Sequence, residues 1–380
     1  MDRQDLNRED IALLTETVRR FIRTEIAPHL AEWDEAGAFP LSLYERAAAL
    51  GVLQIGLPEA CGGVGDPALQ TIVFREVGRA GAGGVFASLG SITIGAPVIA
   101  RFGSAELQAR VLPDVAAGRK IIAPAIPEPG GGSDVQALKT RAVRDGDHYV
   151  VNGEKTFITS GMRASWLTTA VRTADAGSQS FTLLVIPADA PGVTRAPLKK
   201  MGWWASDTAT IHFDNVRVPV ANRVGEENRG LKLVLGNFNM ERINMGAGAL
   251  GASECCLAEA LAWARERRTF GQRLIEHQAI RHKLADMQMR VNACDAVLAT
   301  LFQRLMAGER PVAEIALFKN LATQCLEFCA REAVQILGGA GFMRGGAVER
   351  IYREVRVNAI GGGAEEILKD LAARQMGWLA

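Results

Sequence analysis

Five short stretches hold residue types that could do chemistry. "PEPGGGSD", Pro127–Asp134, sets three glycines beside a serine. Such a loop lets backbone amides approach a ligand and offers the Ser133 hydroxyl as a donor. It is equally the composition of a plain turn. "RERRTFGQRLIEHQ", residues 265–278, gathers Arg265, Arg267, Arg268 and Arg273 around Phe270, ahead of a His-Gln pair. Guanidinium groups at that density could clamp a diphosphate bidentately, or form the solvated basic end of a helix. "QILGGAGF", Gln335–Phe342, is a glycine turn at the end of a helical pattern. "NAIGGGAEEILKD", residues 358–370, sets Gly361–Gly363 just before Glu365 and Glu366. That run is either a phosphate-approaching loop or a place a side chain has left. "GAGALG", Gly246–Gly251, matches a dinucleotide-binding glycine pattern, which works only between a strand and a helix. Here "LKLVLGNFNMERINM" precedes it with helical texture, so these glycines are expected inside a helix, where they allow close packing.

The elements that must position these stretches follow from periodicity and composition. At 380 residues the chain is too long for one simple core, and two or three domains are expected. Apolar content of 48% with 22% charged residues reads as soluble and globular. A net charge of +1 gives no field that would steer nucleic acid or an anionic membrane, so phosphate recognition must be local. The N-terminus "MDRQDLNRED" lacks the apolar core of a secretion signal, and a cytoplasmic location is expected. Ala80–Ala100 carries no charge, but its glycines, Pro97 and hydroxyl residues predict packed small-residue helices rather than a membrane span. None of the six cysteines forms a CxxC pair or lies at metal-ligand spacing from a histidine, so buried reduced thiols and no metal are expected.

Ile11, Leu14, Val18, Phe21 and Ile22 recur at helical spacing, Asp66-Pro67 is a helix start, and Ser104 opens a helix that closes near Gly118. From about Lys120 the texture changes. "KIIAPAI", "HYVVNG", "WLTTAVRT", "SFTLLVIP" and "TATIHFDNVRV" are short runs rich in β-branched and aromatic residues. No helix among them is long enough for βαβ units, so the sheet should be largely antiparallel. From Gly230 long helical patterns return, with Leu284, Met287, Val291 and Leu298 on one face and Pro311 at another helix start. The fold class is α+β: a helical domain over residues 1–119, a β domain over 120–222, and a helical domain over 223–380.

Together the clusters resemble the acyl-CoA dehydrogenase family. "PEPGGGSD" is similar to its EPGxGSD loop and "FITSG" to its aromatic-Ile-Thr segment. "RRTFGQ…EHQAIRHKLADM", "QILGGAGF…VERIYREVRV" and the terminal "EEILKDLAARQMG" follow in the family's order. One such motif would be weak; five in register across nearly the whole chain are specific. The resemblance implies a middle β domain between helical domains, the last a four-helix bundle. It implies tightly bound FAD, a homotetramer or homodimer, and electron-transferring flavoprotein as acceptor. The implied reaction is α,β-dehydrogenation of an acyl-CoA thioester to the trans-2-enoyl-CoA.

Carried over by position, the resemblance implies that Ile126, Pro127 and Ser133 line the flavin. Phe157 would pack on its ring system with Thr159 near N5. Arg267, Thr269, Phe270, Gln278, Gln335 and Gly339 would reach the FAD of a neighbouring subunit. Asn239, Arg242, Ser133, Gly362 and Gly363 would contact the substrate. Two positions depart from the family pattern, each losing one expected flavin contact: Pro127 and Ala364 stand where Thr is usual.

The chemistry needs a carboxylate base, because a thioester α-proton is only weakly acidic. In much of the family this glutamate follows a tyrosine in a YEGT segment. Alignment puts Gly361 at the tyrosine and Gly362 at the glutamate, so the usual base is absent. Glu365 and Glu366 come too late and are expected to begin the last helix. A branch resembling long-chain and isovaleryl-CoA dehydrogenases carries its base on a C-terminal-domain helix, directly before an arginine. This chain reads "NFNMERINMGAG" there, which implies Glu241 as the base. Replacing tyrosine and glutamate by glycines opens room near the thioester, so branched, long or bulky acyl chains are expected. Alternatives on the same fold are a dehydrogenase of carrier-protein thioesters and a flavin oxidase or monooxygenase. A non-catalytic acyl-CoA-binding protein is the alternative of a different class.

Overall fold

The computed structural model describes residues 8–175 and 180–378. Its N-terminal part is helical, from Arg8–Phe21 to Ala105–Ala116. The punctuation residues act as their chemistry requires. Asp66 accepts from Ala68 N–H at 2.8 Å and Pro67 opens the turn that leads into the helix Gln70–Arg79. Ser104 caps Ala105–Ala116 by accepting from Leu107 N–H at 3.2 Å, and Gly118 leaves that helix with φ +72°. The uncharged run forms two helices, Gly83–Leu89 and Ser91–Phe102. By length and composition it could cross a membrane, but most of it is buried inside the fold.

Eight strands form one sheet. The order is Val193–Pro197, Thr208–Pro219, His148–Thr159, Arg141–Asp145, Trp166–Arg172, Phe181–Pro187, Arg223–Val224, with Ile122–Ala125 also paired to Trp166–Arg172. Pairing is antiparallel except for Ile122–Ala125 and Arg141 against Trp166–Arg172. One face packs its own core around Tyr149, Leu167, Ile186 and Ile211, and the other, through Phe181, Leu183 and Val185, joins the core of the N-terminal helices.

The C-terminal part comprises Gly230–Glu266, Gln278–Met306, Val312–Leu337, Ala347–Ile360 and Glu365–Gln375. Its core holds Leu284, Met287, Val291 and Leu298 against Phe318, Ala322 and Cys329. All six cysteines are free. Glu365 and Glu366 lie in the first turn of the last helix. The first helix here has 37 residues, about 55 Å at 1.5 Å per residue. "GAGALG" lies in its middle. A Cβ on Gly251 would fall 2.0 Å from the Arg75 carbonyl oxygen, and one on Gly78 would fall 2.1 Å from the Gly248 carbonyl oxygen. The helices Gln70–Arg79 and Gly230–Glu266 therefore touch backbone to backbone through glycine notches. Arg75 and Arg79 flank the notch and pair with Glu254 at 2.6 Å each.

Candidate active site

Glu241 lies one turn before Met245 on the helix Gly230–Glu266. Its carboxyl reaches back to the glycine run that follows Ala347–Ile360. Oε1 lies 3.8 Å, and Cδ 3.9 Å, from the point where a Cβ on Gly362 would be. The two sequence positions, 121 apart, thus bring a carboxylate to nearly the same place. Gly362 has φ +66°, a conformation that L side chains adopt with strain, and its missing Cβ would also meet Met245 Sδ at 2.8 Å.

The glycine run is held from behind. Arg242 Nε donates to the Gly362 carbonyl at 3.1 Å and Lys319 Nζ donates to the Gly363 carbonyl at 3.0 Å. Arg242 also donates to Asn239 Oδ1 at 3.1 Å. Neighbouring residues on a helix point about 100° apart, so Arg242 turns inward while Glu241 faces the glycines. With both cations donating to peptide carbonyls, no hydrogen bond or ion pair holds the Glu241 carboxyl among the described residues. Burial pushes it up to about 7, against the opposing pull of the Arg242 and Lys319 charges. Burial also pushes Lys319 down to about 8 and Arg242 below its usual range. Asn239, Glu241, Arg242, Gly362 and Gly363 are therefore brought together. Ala364, at the start of the last helix, has no side chain to cap it, and Asn320 Nδ2 donates to the Glu365 carbonyl at 2.9 Å instead.

A cavity lies between the N-terminal and C-terminal helices, and Met245, whose Sδ meets the Cβ position of Gly362, is one of its lining residues. Its volume is ≈ 90 Å³. Met245, Gly248 and Ala252 line it from the helix Gly230–Glu266, and Phe74, Phe86, Trp203 and Asn358 line it from other elements. Of the tryptophan pair in "GWWAS", Trp203 narrows this cavity. Trp204 does not line it and is sandwiched between Arg344 and Arg353, whose guanidinium carbons lie 4.5 and 3.8 Å from its ring centre.

A second group of predicted residues gathers where the strand Ile122–Ala125 ends. Ile126 is buried, Pro127 is half-buried and Ser133 is exposed. Thr156 N–H donates to the Pro127 carbonyl at 2.9 Å. Beneath the loop, Lys155 is fully buried and donates to the Ile126 carbonyl at 2.9 Å and to Glu128 at 2.8 Å. Glu128 also accepts from the Lys139 and Thr140 backbone. Burial pushes the Lys155 ammonium down to about 8 although Glu128 opposes it. A register shift between Lys155 and Ile158 turns Phe157 out at φ +58° with 68% of its surface exposed. Phe157 thus presents an exposed aromatic ring on a strained backbone. Thr159 follows, half-buried. Gly130 and Gly132 have open space where a Cβ would stand.

The third group forms a cleft on the C-terminal helices, lined by Arg267, Thr269, Trp263, Leu274 and Gly338–Ala340. Gly339 belongs to it; Gln278 and Gln335 are exposed at helix ends and do not line it. None of its lining residues comes from the sheet, so in a single chain this cleft is separate from the Pro127–Asp134 loop. Phe270 is 97% exposed at φ +49° at the tip of the Arg268–Arg273 hairpin, and Phe342 is 76% exposed.

Three family models match in order: the acyl-CoA dehydrogenase N-terminal domain over residues 8–119, its middle domain over 123–216 and its C-terminal domain over 228–377. A probable acyl-CoA dehydrogenase of Bacillus subtilis is 35% identical, covering 96% of this chain and 97% of its own. The cyclohexane-1-carbonyl-CoA dehydrogenase of Geobacter metallireducens is 34% identical over 97% of each chain. A crystal structure of a putative acyl-CoA dehydrogenase from Mycobacterium smegmatis superposes with a TM-score of 0.95 at 42% identity, covering 99% of both chains.

Proposed function

Because this chain belongs to the acyl-CoA dehydrogenase family of FAD-dependent oxidoreductases, we propose that it converts an acyl-CoA thioester to the trans-2-enoyl-CoA with Glu241 as the base. The observation that carries the reading is the Glu241 carboxyl. It has no hydrogen-bond or ion-pair partner among the described residues, burial raises it to about 7, and it lies within 4 Å of the space opened by Gly362. A base poised near neutral pH abstracts a weakly acidic α-proton best. Arg242 and Lys319 hold the backbone beside it through the Gly362 and Gly363 carbonyls, which fixes the base relative to the thioester.

The residues at two sites fit FAD. Phe157 offers a bare ring face, and the loop anchored by the Lys155–Glu128 pair leaves Gly130 and Gly132 open to a ligand. Ile126, Pro127, Ser133 and Thr159 would complete the isoalloxazine side. Arg267, Thr269 and Gly339, with Phe270, Gln278 and Gln335 around them, would hold a diphosphate of a neighbouring subunit's cofactor. The exposed Phe270 and Phe342 support an assembly that covers them, a homotetramer or homodimer. When bound, FAD supplies the acceptor for the β-hydrogen as hydride, and electron-transferring flavoprotein is the proposed next acceptor. Glu241 takes the α-proton, and the Cα–Cβ bond gains the electron pair released. The apolar cavity beyond Met245 supports a long or bulky acyl group.

Glu241→Gln tests the base. The variant should keep its flavin and bind acyl-CoA yet fail to bleach anaerobically. Bleaching at the wild-type rate would falsify the assignment.

A further inference from the structure

The cavity between the N-terminal and C-terminal helices is small because backbone closes around it. Gly78 meets the Gly248 carbonyl on one side. On another, Gly83 and Gly84 press on Trp203 and Glu354. A Cβ on Gly83 would fall 2.6 Å from Glu354 Oε2 and 2.8 Å from Trp203 Nε1, and one on Gly84 would fall 3.1 Å from Trp203 Cα. Glu354 also accepts a hydrogen bond from the Trp203 backbone. These contacts are closed packing, so the cavity stops there. Along the helix Ala347–Ile360 its lining residues recede from the glycine run in the order Asn358, Glu354, Ile351. Glu354 lies six residues before Ile360, so Trp203 stands on the order of 10 Å from the glycine run at 1.5 Å per residue.

The indole cannot yield by moving its backbone. The Trp203 carbonyl accepts from Lys200 Nζ at 2.7 Å and from Ser206 N–H at 3.1 Å. On one flank, a Cβ on Gly202 would fall 2.5 Å from the Arg353 carbonyl oxygen; on the other, Trp204 is stacked between two guanidinium groups. Phe86, which lines the cavity with Trp203, is itself braced edge-on by Phe74, with ring centres 4.9 Å apart at 78°. An apolar protein cavity of about 150 Å³ lodges one benzene, so ≈ 90 Å³ has room for about three or four carbons. A dodecanoyl chain carries more than twice that number beyond Cβ.

We propose that Trp203 is a stop that sets the length of the acyl group, and that the substrate carries a compact group of about three or four carbons past Cβ, as in a branched or alicyclic acyl unit, instead of a long straight chain. This rests on the reading that the cavity takes the acyl group of a CoA thioester. Removing the indole, a larger group than benzene, would add more space than the cavity now holds. Glycine suits the position, because the backbone there has φ +54°.

The test is anaerobic flavin bleaching by hexanoyl-CoA, its branched isomer 4-methylpentanoyl-CoA and dodecanoyl-CoA. The wild type should prefer both six-carbon groups over dodecanoyl by at least about tenfold in kcat/KM. Calorimetric binding of the matching trans-2-enoyl-CoAs should follow the same order, since a stop acts on fit. Trp203→Gly should raise kcat/KM for dodecanoyl-CoA at least about tenfold and change that for hexanoyl-CoA less than about threefold. Trp203→Phe, a milder change, should move the preference in the same direction. The wild-type comparison needs no variant to fold. Equal or better use of dodecanoyl-CoA by the wild type overturns the proposal, as does an unchanged length preference in a folded, yellow Trp203→Gly. Bleaching by all three thioesters alike removes this inference alone; bleaching by none removes the dehydrogenase reading as well.

Discussion

The two candidate base positions lie so close that the carboxylate should be transferable. Consider Glu241→Ala combined with Gly362→Glu. Alone, Glu241→Ala removes the base and should slow flavin reduction by about 10²–10⁴-fold, the usual worth of a positioned general base. The added Gly362→Glu side chain starts 3.8 Å from the present Glu241 Oε1, within reach of one more methylene and a carboxyl. Two costs oppose it. The backbone at φ +66° strains any L residue by about 1–2 kcal/mol. The new Cβ also meets Met245 Sδ at 2.8 Å, the end of a flexible thioether that can turn aside. The pair should therefore be less stable than wild type by about 2 kcal/mol yet reduce flavin at least about tenfold faster than Glu241→Ala alone. Stopped-flow bleaching under anaerobic conditions reads the rate, and thermal melting with flavin retention reads the fold. If Glu241→Ala reacts within about threefold of wild type, Glu241 is not the base. If the folded, yellow double variant is no faster than Glu241→Ala, the shared location is wrong.

Burial holds Glu241 near 7, and the base must be deprotonated, so kcat/KM for flavin reduction should rise tenfold per pH unit below about 7 and level above it; a flat profile from pH 5 to pH 8, about three units, would count against Glu241. Lys155→Met leaves Glu128 buried without its cation beneath the Pro127–Asp134 loop. That should cost about 3 kcal/mol and release flavin, read by melting temperature and by absorbance after gel filtration. Gly251→Ala drives a methyl into the Arg75 carbonyl and should destabilise the chain by about 1–3 kcal/mol by overpacking, whereas an unchanged melt would mean the notch has slack.

Helix starts were legible because Asp66, Ser104 and Pro311 cap or initiate by local chemistry. The "GAGALG" glycines were legible for the same reason, since helical texture ran through them. Glu241 and Gly362 could be paired only through the family pattern; their spacing in the chain says nothing of the 4 Å approach. Lys155 was not legible. A charged residue in "NGEKTFITS" reads as solvent-facing, but the bulge before Ile158 breaks the alternation and turns Lys155 in and Phe157 out. Glu354 was hidden among the charges of "VERIYREVRV", where a helix face is set by what packs on it. Trp203 was hidden by a backbone conformation that tryptophan rarely adopts.

The glycine notches between Gln70–Arg79 and Gly230–Glu266 also govern how this chain can change its substrate over evolutionary time. Phe74, Val77 and Gly78 on one helix, and Met245, Gly248 and Ala252 on the other, line the cavity proposed to take the acyl group. Backbones in direct contact cannot move closer, and they move apart only by breaking the Arg75 and Arg79 pairs with Glu254. The spacing of the walls is therefore a fixed gauge. New chain lengths or shapes must be reached one side chain at a time, at Phe74, Phe86, Trp203 or Met245, while the carboxylate at Glu241 keeps its position on the same rigid rod.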